Sequence, residues 1–280
     1  LTGAPETPQE EEEFTEMMAS LLLDNYSVPR ALGMAVQRFQ RNLKESVSAE
    51  EELEATELVD YELRRFYNAR IGVRFLIEHH IASARPRPGW SGIIQSRCSP
   101  AALAKGAENT AAWLCRHHLG AKSPLVLHHH YSLAQGEIEA DDLVHGGLDD
   151  DIQGPCFTYV PSHLEYMLTE IFKNSFRAVV TKHHPVYQGV DPSKLAKEEA
   201  RRLRQEASRM MRVDLPPINL VTALGEEDMT IKIADEGGGI ARPNLRRLLR
   251  FFDSTAGSPL VSTTKATSEG QLAQGVREAE

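Results

Sequence analysis

The sequence predicts two domains, a helical one followed by an α/β one. Between Phe14 and Leu119 the apolar residues recur mainly at three- and four-residue steps, the period of amphipathic helices. After Gly120 the pattern changes to short apolar runs that alternate with one strong helix. Helices first and mixed structure afterwards favour two domains over one doubly wound sheet. A chain of 280 residues with 41% apolar content can build both cores.

Residues 1–13 are rich in Pro, Thr and Glu and read as a disordered leader. The first helix then carries Phe14, Met17, Met18, Leu21 and Leu22 on one stripe. A second runs from Val28 to about Ser48, with Pro29 in its first turn, where a missing N–H costs nothing. The acidic run Glu50–Glu54 suits a helix start, since carboxylates there meet free amides. Residues 53–82 form the longest amphipathic segment, and the prolines at 86 and 88 end it. Residues 100–119 read as a fourth helix, opened by Pro100 and closed by Gly120. These four segments suggest a four-helix-bundle-like domain over 14–121.

From residue 122 onward, Leu125–His128 reads as a strand, and a strong helix follows Pro161 to about His183. Residues 194–212 interleave acidic with basic side chains and read as an exposed helix or an insertion. Ile218–Leu224 and Met229–Ala234 are strands joined by a turn at 225–228.

Bulk properties narrow the function classes. A formal charge of −9 argues against a nucleic-acid surface. No stretch approaches the roughly eighteen apolar residues of a transmembrane helix. Cys98, Cys115 and Cys156 are too scattered for a disulfide scaffold or a zinc cluster, so a reducing compartment is expected. No signal-peptide pattern opens the chain at Leu1, and an organellar presequence already removed would leave no trace. The paired histidines and the run His128-His129-His130 invite a metal reading. Neighbouring side chains on a strand point to opposite faces, however, and structural or solvated roles are expected, with His80 set apart below.

Two short motifs carry chemistry. In the first, Glu170 and Asn174 stand four apart on the helix after Pro161 and share a face. Leu164, Met167, Leu168, Ile171, Phe172 and Phe176 are its expected apolar anchors. An amide oxygen suits magnesium, and a carboxylate can orient or deprotonate a hydroxyl. Lys173 and Arg177 flank them, either as phosphate attractors or as ordinary surface charge. In the second, Asp235 ends a strand and Gly237-Gly238-Gly239 follow. Glycines permit close backbone approach, and a buried carboxylate there can accept from an adenine amino group; the alternative is a plain flexible loop. The segment is neither a P-loop nor a dinucleotide fingerprint.

Together Glu170-x-x-Lys173-Asn174-x-x-Arg177-Ala178 and Asp235-x-Gly237-Gly238-Gly239-Ile240 resemble the N-box and first glycine box of the GHKL superfamily. The helical text Phe66–His80, and Gly92-Ile93-Ile94 before Arg97-Cys98-Ser99-Pro100, narrow the resemblance to the mitochondrial 2-oxoacid dehydrogenase kinases, closer to the branched-chain than to the pyruvate branch. It covers roughly residues 14–257. The resemblance implies a Bergerat-type ATP-binding sandwich over 122–256, with ATP and Mg as cofactors. It implies Glu170 as general base, Asn174 as magnesium ligand, Asp235 on adenine, and Gly237 and Gly239 shaping the pocket. Lys173 and Arg177 fall beside that cofactor site, and His80 falls at a family histidine near the catalytic centre. The implied partners are the decarboxylase and the lipoyl-bearing core of a dehydrogenase complex, with a homodimer in the mitochondrial matrix. The sandwich is expected to be incomplete, because residues 257–280 hold no Gly-x-Gly-x-Gly and read as a disordered or atypical tail. A truncated, catalytically weak or inactive homologue serving as a binding module is the alternative. A histidine-kinase-like sensor phosphorylated on His80 is a more distant one.

Overall fold

A computed structural model describes residues 5–134, 137–141, 155–190, 195–210, 213–245 and 251. The expected tail at 257–280 lies outside them. Three helices come first, α1 (Pro8–Asp24), α2 (Val28–Ser46) and α3 (Ala49–Ser83). Helix α1 begins well before Phe14, so the expected leader is shorter than 1–13. Its start is a capping box: Thr7 Oγ1 accepts from the Glu10 amide at 3.2 Å, and Glu10 Oε2 accepts from the Thr7 amide at 3.0 Å. Ser48 and Glu51 open α3 in the same way. Helix α1 packs on α3, where the Arg70 guanidinium donates to the Asn25 carbonyl at 2.6 Å.

A small antiparallel sheet follows, in the order β1 (Trp90–Ser91), β2 (Ile94–Cys98), β5 (Phe157–Tyr159). The sequence reading contained none of these strands. Helix α4 (Pro100–Leu119) comes next, capped by Ser99 and closed by Gly120 in the left-handed conformation. The larger sheet runs β4 (Glu137–Asp141), β3 (Val126–Ala134), β6 (Ile218–Leu224), β7 (Met229–Ala234). The β3–β6 pair is parallel, with α5 (Pro161–His183) and α6 (Lys197–Arg209) in the crossover; the other two pairs are antiparallel. The Gly225 amide donates to the Asp228 carbonyl at 2.9 Å and closes the expected turn.

Helix α4 departs from the expected bundle. Its partner is α5, not the helices before it. Ala104, Ala107 and Ala111 are fully buried, and Cys115 continues their stripe. Such small side chains let α5 come close, and Phe172 and Phe176 fill the space between helix and sheet, both 0% exposed. Helix α4 thus belongs to the α/β layer. Ile218 and Leu220 of β6 and Val179 and Val180 of α5 complete that core.

The histidine run alternates across β3. His128 Nε2 lies 3.2 Å from Glu108, His129 Nε2 lies 3.2 Å from Asn219 Oδ1, and His130 Nδ1 lies 2.6 Å from Thr222 Oγ1. Each satisfies a neighbour within the sheet or on α4. No helix among the described residues is long and apolar enough to cross a membrane.

Two other histidines give the fold a pH dependence. His184 is 1% exposed, and burial holds its pKa below the ordinary histidine value. Burial, then the charges of His117, Arg204 and Lys173, lower that of His118. The unfolded chain therefore takes up these protons first as pH falls. The stability they give is complete above about pH 6.5 and is lost as pH falls from there through the lower folded-state values. Melting temperature is expected to drop across that acid range, and less steeply in His184→Gln. An identical slope in that variant would remove His184 as a cause.

Candidate functional site

Helix α5 builds the site. Its inner face buries Leu164, Leu168, Phe172, Ser175, Phe176, Val179 and Val180. Two expected anchors are not among them: Met167 is 43% exposed and Ile171 46%. At 100° per residue Met167 falls on the Glu170 side of the helix, and Ile171 falls midway between Glu170 and the buried Phe172, at the border of the core. Glu170 and Asn174 sit on the outer face one turn apart, Glu170 half-buried and Asn174 exposed. Lys173 Nζ donates to Glu170 Oε1 at 2.7 Å. At 100° per residue Lys173 lies on the opposite flank of α5 from Ser175, Ala178 and Lys182. Arg177 follows one turn beyond Lys173 and is half-buried. Tyr166 precedes Glu170 by one turn. Desolvation, and then the Glu170 charge, push its phenol above the usual range although most of the residue is exposed.

The loop after β7 lies along the other flank of α5. Asp235 Oδ2 accepts from Ser175 Oγ at 2.8 Å, and Oδ1 accepts from the Gly237 amide at 2.8 Å. The sequence reading expected a buried carboxylate. Asp235 is exposed: β7 is the outermost strand of its sheet among the described residues, and the chain leaves it at the surface. Gly237 passes against Ala178: a Cβ at this position would collide with the Ala178 Cβ and stand 2.9 Å from Asp235 Oδ1. Gly238 and Gly239 have φ of 96° and 71°, and the space beside Gly239 is open. The Glu236 carbonyl accepts from Lys182 Nζ at 2.9 Å and from His183 Nε2 at 3.0 Å.

The structure thus brings Glu170, Asn174, Asp235, Gly237 and Gly239 to one helix and the loop beside it. It seats His80 elsewhere, on α1: His80 Nε2 lies 3.0 Å from Thr15 Oγ1, and its ring meets Phe14 edge-on at 5.2 Å. Helix α3 reaches α5 through Phe75, whose ring lies 6.0 Å from that of His163. Ser175, Lys182 and His183 touch the loop without a site role expected from the sequence, and Ala178, quoted there only as the end of the first motif, takes the close approach of Gly237. A buried serine on an otherwise apolar face was the available signal, since a hydroxyl there needs a partner.

Gly237→Ala is expected to displace the loop and expose the Gly237–Gly239 amides to faster hydrogen exchange. Adding Ala178→Gly should restore part of the protection, because it removes one of the colliding atoms. Unchanged exchange in the single variant would show that the loop does not need this approach.

The residues fit a nucleotide with a hard metal. Each carboxylate oxygen of Asp235 keeps a second lone pair for an amino donor. Among the described residues no three His, Cys, Asp or Glu side chains form a metal cage. Magnesium commonly takes few protein ligands and completes its shell with phosphates and water, so a single amide oxygen from Asn174 suffices.

Residues 1–95 match the family described as mitochondrial branched-chain alpha-ketoacid dehydrogenase kinase. Over 255 residues the chain is 30% identical to the mitochondrial [pyruvate dehydrogenase (acetyl-transferring)] kinase of Arabidopsis thaliana, covering 90% of this chain and 54% of that protein. The chain belongs to the mitochondrial 2-oxoacid dehydrogenase kinase family. Another relative of this kinase-family chain is the Schizosaccharomyces pombe mitochondrial pyruvate dehydrogenase kinase, 34% identical over 71% of this chain and 36% of its own length. Isozyme 3 of Homo sapiens is 32% identical over 74% of this chain and 42% of its own length. The chain therefore spans about half the length, or less, of these kinases.

Proposed function

We propose that this chain carries the nucleotide-binding site of a mitochondrial protein serine kinase that phosphorylates and inactivates the decarboxylase component of a 2-oxoacid dehydrogenase complex. The observation that carries the reading is the Asp235 loop held along α5, the helix that presents Glu170 and Asn174. The α/β layer is read as GHKL-type. The branched-chain complex is the favoured substrate because the family matched over residues 1–95 is named for it. The partners follow from that reading: the decarboxylase, the lipoyl-bearing core and a second copy of the complete protein, in the matrix.

In this reading a magnesium ion, if held at Asn174, would supply positive charge to the phosphates. Asn174 holds the metal through its amide oxygen. Asp235 receives the adenine amino group on a free lone pair, and Gly237 and Gly239 let the backbone lie against the base. Glu170 takes or directs the proton of the acceptor hydroxyl, with Lys173 steadying its Oε1. Arg177 adds positive charge along α5, and His80 stays packed against α1 outside this arrangement.

Calorimetry with ATP and magnesium tests the site. Saturable binding is expected. Asn174→Ala should weaken the magnesium-dependent part alone, whereas Asp235→Ala should weaken binding with or without the metal. No heat of binding to folded protein would overturn the reading.

The alternative is a weak or inactive homologue serving as a binding or regulatory module. Transfer of labelled phosphate to purified branched-chain and pyruvate decarboxylase components separates the two readings and chooses the branch.

A further inference from the structure

Along one flank of α5, Ser175, Ala178 and Lys182 follow one another at three- and four-residue steps, and each touches the Asp235 loop. The contacts converge on a single peptide unit. The carbonyl of Glu236 and the amide of Gly237 belong to the same plane. Lys182 Nζ and His183 Nε2 hold its carbonyl at 2.9 and 3.0 Å, and Asp235 Oδ1 holds its N–H at 2.8 Å. Ser175 Oγ holds the other carboxylate oxygen at 2.8 Å. The result is an unbroken hydrogen-bond chain from the end of α5, through one peptide, to Asp235 and back to α5.

Among the described residues no other hydrogen bond holds that plane. Gly237 has no side chain, and Gly238 beyond it stands at φ 96°. Rotation of the peptide would turn its carbonyl toward the carboxylate and its N–H away. That would replace an attraction at Oδ1 with a repulsion.

Resting on the nucleotide-site reading above, we propose that Lys182 and His183 are positioning residues for base recognition: by fixing the Glu236–Gly237 peptide they hold Asp235 in the orientation that accepts an amino group. They touch neither base nor phosphate in this role. The effect reaches only ligands that use Asp235, so it separates ATP from ITP, whose base carries an oxygen in place of the 6-amino group.

The test uses the full chain with the Lys182→Met/His183→Phe pair, and Lys182→Arg/His183→Gln, which keeps donors at both positions. In nucleotide-free protein, hydrogen exchange at the Gly237 amide is expected to quicken about tenfold in the first pair and to stay near wild type in the second. By calorimetry, the first pair should lose roughly five- to tenfold in ATP affinity, the scale of one hydrogen-bond contribution. Its ITP affinity and melting temperature should stay within about twofold and one or two degrees of wild type. Unchanged Gly237 exchange in the Met/Phe pair overturns the proposal whether or not nucleotide binds. Equal losses for ATP and ITP overturn it too, since they mark a general loop defect. Wild-type protein that protects Gly237 but binds neither nucleotide overturns the nucleotide-site reading, and the base-recognition role with it.

Discussion

With Glu170 as the proposed base of the proposed kinase, Glu170→Gln should cut phosphoryl transfer by roughly 10²- to 10⁴-fold, the usual range for a lost general acid–base group. ATP affinity should change little. The amide keeps the shape of the side chain and loses the charge that receives a proton. It also loses the ion pair with Lys173, which is partly solvent-exposed and contributes at most about 1 kcal/mol to stability. Single-turnover transfer to a purified decarboxylase component, beside a calorimetric titration of ATP, checks both halves. Normal transfer by the variant would remove Glu170 as the base. Equal losses of transfer and binding would place it in nucleotide affinity.

Phe172→Ala should destabilise the protein by about 3–5 kcal/mol, the cost typical of emptying a buried phenylalanine site. Phe172 is 0% exposed, and its ring lies 5.8 Å from that of Phe176. The space it fills is bounded by α4 and the sheet, neither of which can collapse far without losing its own packing. Denaturant unfolding followed by circular dichroism measures the loss. The site should fail with the fold, because Asn174 and Glu170 each stand two residues from Phe172 on the same helix. A loss below about 1 kcal/mol would mean that the α4–α5 contact is looser than its buried area implies.

Much of this was legible in the chain. The apolar period located α2, α3, α4 and α5 to within a few residues, and the runs at 218–224 and 229–234 became β6 and β7 with the expected turn. Strong periodicity over many residues leaves little choice of local structure. The misses have physical causes. Strands β1 and β5 are too short for alternation to show. The start of α1 was hidden in an acidic run, although Thr7 and Glu10 stand at capping-box spacing. The alanine stripe of α4 announces a helix that packs closely and says nothing about its partner, so the chain alone could not assign α4 to a layer. At the candidate site, the motifs located Glu170, Asn174 and Asp235. The surface setting of Asp235 depended on β7 lying outermost among the described strands, and the Lys182 and His183 contacts depended on where a loop 53 or 54 residues later comes to rest.

The same alanine stripe has a consequence for variation in this protein. A change as mild as Ala107→Val adds two methyl groups where α5 already fills the gap, so it wedges apart the two helices that frame the site. A library of random variants sorted only by phosphorylated product would therefore return hits in α4 beside those at Glu170. An abundance reporter fused to the chain would divide the two groups. Lesions of the stripe would vanish from the cell, and lesions of the carboxylate would accumulate as intact, silent protein.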